Sequence, residues 1–256
     1  MDGSTPATRN GAHVAEAEFR ALYTRLRHDA DRGVDDRLGA LNNLAPQHRL
    51  AALREVRARR SLSLAAPIET ERTADNPSPC QHTLNGPATG AVGDADGLTF
   101  AADSVRFDVH GNADSHIDAL RHVVFDGQLY NGVPASQQTL FVRVGHRRGR
   151  ELGPWDAAAT RVGLHPQAML FAGERRIAVL GSDGNNDTAP SLTAAVDFPV
   201  HVLAINAMGL YLLDYLQLNE LAAMCAERGS WAFLCSIAPL RLPAATGSPV
   251  NPLALL

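Results

Sequence analysis

The chain has 256 residues, of which 45% are hydrophobic and 20% are charged, and its formal net charge is −4 with its ten histidines neutral. This composition is ordinary for a globular protein, and the length is sufficient for one large domain with a sizeable core. The charge balance excludes the basic footprint of a nucleic-acid-binding protein, and aromatic residues at 5% provide few platforms on which bases could stack.

Three widely spaced cysteines, Cys80, Cys225 and Cys235, form no CxxC pair, which argues against a disulfide framework or a cysteine zinc site. Cys225 and Cys235 stand among apolar residues and are expected to be buried. No secretory signal and no stretch as long as a membrane span is recognisable. We therefore expect a cytoplasmic protein without membrane or nucleic-acid partners. Its predicted organisation is a disordered N-terminus at 1–14 and one domain at 15–256.

Hydrophobic periodicity and turn residues divide the first half of the chain into two helices followed by strands. The second helix is expected to begin at Pro46 and to present an apolar face made of Leu50, Leu53 and Val56. The segment 69–98 is rich in Pro, Gly, Asn and Asp, and a loop of this length is typical of a lid or a substrate wall. The predicted elements are a helix at 15–30, a loop at 31–44, a helix at 46–60, a strand at 61–68, a loop at 69–98 and two strands within 98–111.

The second half of the chain mixes strands with short helices. One helix is expected to start at Pro199 and end at Gly209, and another is expected to have Asn219 as its N-cap and to end at Gly229. The predicted strands lie at 140–146, 175–183, 210–216 and 231–242. This order predicts a single domain of the α/β or α+β class, of which we favour α/β with a mixed β-sheet core.

The segment HGNADSHIDALRH, at 110–122, concentrates three histidines and two aspartates within thirteen residues. If 110–118 is extended, alternate side chains project to one face; these are His110, Asn112, Asp114, His116 and Asp118. Imidazole and carboxylate ligands suit Zn²⁺, Mn²⁺ or Fe²⁺ and can leave a coordination position for water. His122, one helical turn beyond Asp118, could act on that water as a general acid or base. The alternative is a hydrogen-bonded structural His-x-Asp pair.

The same segment resembles the signature of the cyclase family, metal-dependent hydrolases that include bacterial kynurenine formamidase and isatin hydrolase. The family signature is His-x-Gly-Thr-His-x-Asp-x-Pro-x-His. His116, Asp118 and His122 match its second histidine, its aspartate and its last histidine. The later segments GHRRGRELGPW, VLGSDGNNDTAPS and APLRLPAATGSPVNPLALL are also similar to the family, in the same order and at similar spacing.

The resemblance implies a Zn or Mn centre whose ligands come from three parts of the chain. The implied metal ligands are His116, Asp118, His201 and Asp214, and the implied proton shuttle is His122. Asp114 is a further candidate ligand because of its place on the predicted face of 110–118. Asp214 stands where most members have a glutamate. The first histidine of the signature is Asn112 here, which is a poor zinc ligand, and Asp114 or His110 could replace it.

The resemblance also implies a swivelling β/β/α fold and a homo-oligomer, a dimer or tetramer, with the site near a subunit boundary. Its implied activity is hydrolysis of a small-molecule substrate, namely an amide, lactam or formamide. One alternative is a cyclase or dehydratase in a biosynthetic pathway, in which the ion stabilises an enolate. Another is a metal-free binding protein that has lost activity, suggested by Asn112 and Asp214.

The turn GSDGNND, at 181–187, has two interpretations. Asn and Gly are typical of left-handed positions in a turn at the end of a strand, which is the interpretation we favour from the sequence. In the functional interpretation, Asp183 would orient a ligand histidine through its second ring nitrogen. Asp214 itself, inside an apolar strand, must be hydrogen-bonded, paired or metal-bound.

Overall fold

A computed structural model of the protein describes residues 13–27, 32–73, 76–85, 101–110, 114–135, 161–194 and 196–256. The predicted strand at 140–146 and Asn112 lie outside these ranges. The helices are α1 (Glu16–Leu26), α2 (Pro46–Leu53), α3 (Ala168–Glu174), α4 (Pro199–His201) and α5 (Asn219–Arg228). None of the helices in the described ranges is long and apolar enough to cross a membrane.

Nine short strands form three sheets in the described part of the chain. The strands are β1 (Ser61–Ser63), β2 (Gln81–Asn85), β3 (Ala102–Arg106), β4 (His116–Asp118), β5 (Val179–Gly181), β6 (Tyr211–Asp214), β7 (Leu234–Ser236), β8 (Gly247–Pro249) and β9 (Leu253–Leu255). Their spatial orders are β1-β9-β7, β2-β3 and β5-β6-β4-β8. Among the named strands of the described residues, only β5 and β6 pair in parallel, which makes the four-stranded sheet mixed. The prediction of an α/β domain with a mixed sheet is therefore confirmed.

The core lies around a buried helix that follows Pro199. This helix begins as α4 and continues as a π-helix over Val202–Met208, in which every residue is buried. Gly209 ends it at a φ of 63°, and a Cβ at that position would lie 2.7 Å from the ring of Tyr130. The predicted bounds, Pro199 and Gly209, are therefore confirmed, although periodicity alone did not indicate a π-helix. Helices α1 and α3 pack on it through Phe19, Leu22, Leu26, Met169 and Ala172.

The helix predicted at 46–60 is too long, since α2 ends at Leu53. Leu50 and Leu53 are each 57% exposed, so the expected apolar face does not enter the core of the described chain. The segment beyond α2 leaves the helix and bonds to the C-terminus instead: Ala58 N donates to Leu256 O, and Leu256 N donates to Arg60 O, each at 2.9 Å.

Several other predictions of secondary structure were wrong. The loop predicted at 31–44 contains a 3₁₀ turn at Gly39–Asn43, and the loop predicted at 69–98 contains β2. Only one strand, β3, lies within 101–110, where two strands were expected around 98–111. The C-terminal tail, which was not predicted to pair, supplies β8 and β9. These strands have three residues each, too few for alternation to be recognised.

Three local expectations also need correction. The N-cap of α5 is Leu218 rather than Asn219, and no side chain caps this helix. Cys235 is exposed because β7 pairs at the edge of its sheet, although Cys225 is buried as expected. Val14 was assigned to the disordered N-terminus, but its side chain is 2% exposed and its N donates to Leu192 O at 2.9 Å.

Candidate metal centre

Strand β4 brings His116 and Asp118 to the middle of the four-stranded sheet. His116 lies directly opposite Asp214 of β6, and Asp118 lies two residues further along β4, so all three side chains share one face. Helix α4 adds His201 to this face. All four residues are at least 95% buried. The fold therefore brings together the four residues that the resemblance implies as the main ligands.

The polar atoms of these residues converge at distances too long for ordinary hydrogen bonds. His116 Nε2 lies 3.6 Å from Asp118 Oδ1, and His201 Nε2 lies 3.4 Å from Asp118 Oδ2 and 3.6 Å from Asp214 Oδ2. Ligand atoms of His116, Asp118 and Asp214 all lie within 4.8 Å of one another. Such spacing fits side chains that point at a common centre rather than at each other.

Both histidines have a hydrogen bond that leaves Nε2 directed at the cluster. The Nδ1 of His116 lies 2.8 Å from the carbonyl oxygen of Asp114, which can only accept, so Nδ1 carries a proton. The Nδ1 of His201 lies 2.5 Å from Oδ2 of Asp187. Each Nε2 is therefore the atom available to a metal ion when the ring is neutral.

Among the buried carboxylates of the described residues, Asp118 has the least complete hydrogen bonding. It is 1% exposed, and neither of its oxygens has a hydrogen-bond partner of good geometry among the described residues. Burial by itself raises the pKa of Asp118, but the imidazoles of His122, His110 and His201 together hold it well below its usual value. The imidazoles favour the ionised form of Asp118 but do not complete its hydrogen bonds, so a cation at this point would stabilise the carboxylate further.

Asp214 is held by two asparagines of the 181–187 turn. Asn185 Nδ2 donates to Oδ2 at 3.0 Å, and Asn186 Nδ2 donates to Oδ1 at 2.7 Å. Both asparagines are buried. The turn thus does more than reverse the chain, because it fixes the plane of a carboxylate that lies on another element.

The aspartate of this turn that contacts His201 is Asp187 rather than Asp183. Asp187 is fully buried and contacts His201, whereas Asp183 of the same turn is exposed. The sequence does place an aspartate in this turn as a candidate partner for a histidine. The turn contains two aspartates, however, and no local pattern distinguishes them.

His122 and His110 form a stacked pair at the edge of the cluster. Their rings are 3.7 Å apart and nearly parallel, at 11°. Together with Asp118 they form a second group whose ligand atoms lie within 4.8 Å of one another. Burial, opposed by the charge of Asp118, lowers the pKa of His122 to about 4. His122 is therefore neutral at pH 7 and can accept a proton.

His110 reaches Asp118 because the facing residue of β8 has no side chain. Gly247 pairs with Asp118, and a Cβ on Gly247 would lie 2.6 Å from Cε1 of His110. The ring of His110 places Nδ1 at 3.0 Å from Asp118 Oδ1 and Nε2 at 2.9 Å from the hydroxyl of Thr246. His110 was one of the alternatives for the missing first histidine, and the fold brings it to the cluster.

The fold does not bring the carboxylate of Asp114 into either group. Its Oδ1 accepts a hydrogen bond from Glu69 N at 3.3 Å, and the side chain is buried. The sequence argument placed Asp114 beside His116 by assuming an extended chain over 110–118. Because β4 begins only at His116, that alternation does not hold at Asp114.

Comparisons with known proteins agree with this fold. No family model matches the sequence, and no curated protein matches it. The structure is similar to a crystal structure described as a novel cyclase, with a TM-score of 0.73 and 21% identity over 91% of this chain and 99% of that chain. The expected resemblance to a cyclase is therefore confirmed at the level of the fold.

Two further solved structures overlap less closely. An isatin hydrolase bound to the product analogue thioisatinate has a TM-score of 0.48 and 16% identity, over 83% of this chain and 99% of that chain. A structure described as a predicted metal-dependent hydrolase from Bacillus stearothermophilus has a TM-score of 0.47 and 15% identity, over 76% of this chain and 97% of that chain.

Proposed function

We propose that this protein is a metal-dependent hydrolase of the cyclase family that cleaves a small amide, lactam or formamide. The observation that carries the proposal is a buried cluster in which ligand atoms of His116, Asp118 and Asp214 lie within 4.8 Å of one another. His201 Nε2 joins it at 3.4 Å from Asp118 and 3.6 Å from Asp214. The cyclase fold supports it. The substrate class comes from the sequence resemblance, and the buried polar site is consistent with it.

The residues present fit a divalent ion. Two imidazole Nε2 atoms and two carboxylates are the ligand types of zinc and manganese sites. The two carboxylates balance the charge of a dication, and a dication would relieve the unsatisfied oxygens of Asp118. Asp187 and the Asp114 carbonyl hold the two rings, and Asn185 and Asn186 hold Asp214, so the ligand set is already oriented.

His122 is the residue that would move the proton. A divalent ion bound by the four ligands supplies Lewis acidity and lowers the pKa of a bound water. His122 lies beside the proposed ligands, with one ring nitrogen within 4.8 Å of an Asp118 oxygen, so its neutral ring could take a proton from a water that the ion would activate. The imidazolium formed in this way could then pass its proton to the leaving nitrogen.

Metal content tests the proposal directly. Plasma mass spectrometry measures the metal content of wild type and His116→Ala, purified without chelator or polyhistidine tag. His48→Ala, a substitution on an exposed helix, is the control. We expect about one zinc or manganese per chain in wild type and His48→Ala, and a loss in His116→Ala. Absence of metal from the wild type, even after soaking with Zn²⁺ and Mn²⁺, would overturn the proposal.

A cyclase or dehydratase is the second candidate, and the similarity to a structure described as a cyclase favours it. In that reaction His122 would move a proton of the substrate without attack by water. Product mass separates the reactions, because hydrolysis adds one water, dehydration removes one and cyclisation without loss changes nothing. A metal-free binding protein predicts instead that chelators leave ligand affinity and thermal stability unchanged.

Three further expectations remain predictions. The resemblance implies the swivelling β/β/α architecture and a dimer or tetramer with the site near a subunit boundary, and the sequence itself suggests a cytoplasmic location. Light scattering coupled to size exclusion measures the oligomeric state, and a monomer at micromolar concentration would contradict the second of these predictions.

A further inference from the structure

Asp187 is a fully buried carboxylate that accepts three hydrogen bonds from two consecutive residues of α4. Its Oδ1 accepts from Val200 N at 2.7 Å, and its Oδ2 accepts from His201 N at 3.0 Å and from His201 Nδ1 at 2.5 Å. The carboxylate is 0% exposed and lies behind the imidazole, on the side opposite Nε2. One side chain therefore holds both the backbone and the ring of His201.

These contacts replace the cap that α4 lacks. The N-cap residue, Phe198, makes no side-chain cap hydrogen bond, and Pro199 at the first position has no N–H to satisfy. The next two N–H groups, of Val200 and His201, are those that Asp187 accepts. Because the same carboxylate binds the ring, the position of the helix start and the direction of the imidazole are coupled.

We infer that Asp187 is a positioning residue that presents Nε2 of His201 to the cation. An ionised carboxylate only accepts hydrogen bonds, so it requires the proton of the neutral ring to be on Nδ1. Nε2 then carries a lone pair, directed between Asp118 at 3.4 Å and Asp214 at 3.6 Å. The inference rests on the proposed function in one respect, that His201 is a metal ligand.

An alternative role is purely structural, in which Asp187 caps α4 without affecting the metal. Asp187→Asn separates the two roles. Its amide oxygen at the Oδ1 position can still accept from Val200 N. An NH₂ group at the Oδ2 position no longer accepts from His201 N, and it would donate to Nδ1 and move the ring proton to Nε2. A structural role predicts wild-type metal affinity in folded Asp187→Asn, whereas a positioning role predicts a loss.

The experiment measures zinc affinity by competition with a chromophoric chelator on metal-depleted full-length chains. The proteins are wild type, Asp187→Asn and Asp183→Asn, a matched change at the exposed aspartate of the same turn. We expect Asp187→Asn to bind zinc about 10- to 100-fold more weakly, with Asp183→Asn unchanged. Melting temperatures of the metal-free proteins show whether each variant is folded. Wild-type affinity in a folded Asp187→Asn would overturn the inference alone, and absence of zinc binding by the wild type would overturn the proposed function as well.

A second measurement needs no variant at position 187 to fold. In zinc-loaded wild-type protein with ¹⁵N-labelled histidine, long-range ¹H–¹⁵N spectra report which ring nitrogen carries the proton. The His201 signals are assigned by their loss in His201→Gln. We expect a protonated Nδ1 and a metal-bound Nε2, and the opposite assignment would overturn the inference.

Discussion

His116 and Asp214 face each other as a directly opposite pair in the antiparallel ladder between β4 and β6. Directly opposite residues project to the same face of a sheet, so this register places an imidazole and a carboxylate from distant parts of the chain side by side. A slip of one residue would move one of the two to the other face. The candidate metal centre is therefore a consequence of strand register, and α4 and the 181–187 turn complete it.

Metal binding is expected to release a proton. The ring of His201 is buried, which lowers its pKa, but Asp118, Asp187 and Asp214 raise the pKa well above its usual value of 6.5. The three carboxylates thus favour the protonated ring in the metal-free protein, and a metal ion that binds Nε2 must displace its proton. Isothermal titration calorimetry with Zn²⁺ in buffers of different ionisation enthalpy should show this release at pH 7. Equal heats in all buffers would contradict it.

The same pKa shift predicts how the stability of the metal-free protein depends on pH. The folded state binds the His201 proton more tightly than the unfolded state. His201 therefore contributes its full stabilisation at pH values below its pKa in the unfolded chain. This contribution is lost as the pH rises through its raised pKa in the folded protein. The melting temperature of wild type should fall across this range more steeply than that of His201→Gln. Identical pH profiles would contradict the prediction.

Replacing His122 should affect turnover and leave metal binding intact. If His122 moves the proton, His122→Gln is expected to lower kcat about 10²- to 10⁴-fold. Metal content should remain near one ion per chain, because the four proposed ligands are unchanged. Loss of the ion in His122→Gln would instead assign it to the group of His110, Asp118 and His122.

Asn186→Gly tests the support of Asp214. Asn186 has a φ of 65°, which glycine adopts freely, so this substitution removes the donor to Asp214 without imposing backbone strain. The lost hydrogen bond to a charged group should lower the free energy of unfolding by about 1.5–3 kcal/mol, measured by urea denaturation. Zinc affinity should fall about 10-fold. Asn131→Gly, at a similar φ of 60° but outside the cluster, should leave zinc affinity unchanged.

Gly247→Ala tests the close approach of His110 to Asp118. The new methyl group would lie 2.6 Å from His110 Cε1 and 2.7 Å from the carbonyl oxygen of Ile117, so the ring and the β4–β8 pairing must shift. Overpacking of this kind costs about 1–3 kcal/mol of stability, measured by urea denaturation. Gly184→Ala is the control, since its Cβ would meet nothing nearer than 3.9 Å. Equal stability of the two variants would show that His110 is loosely held.

Local sequence patterns predicted the positions of residues that are close both in the chain and in space. His116 and Asp118 are two residues apart, so strand alternation alone places them together. Pro199 and Gly209 mark the ends of the central helix because each imposes its own backbone geometry. The resemblance to a family added His201 and Asp214, which no periodicity could have linked to β4.

The tertiary structure decided everything that depends on pairing between distant segments. It selected Asp187 over Asp183, directed the carboxylate of Asp114 to Glu69, and brought His110 against Asp118 across Gly247. It also paired the C-terminus with the segment after α2. The physical reason is that residue type and spacing describe one element at a time. Register, helix packing and backbone hydrogen bonds between elements determine which side chains meet.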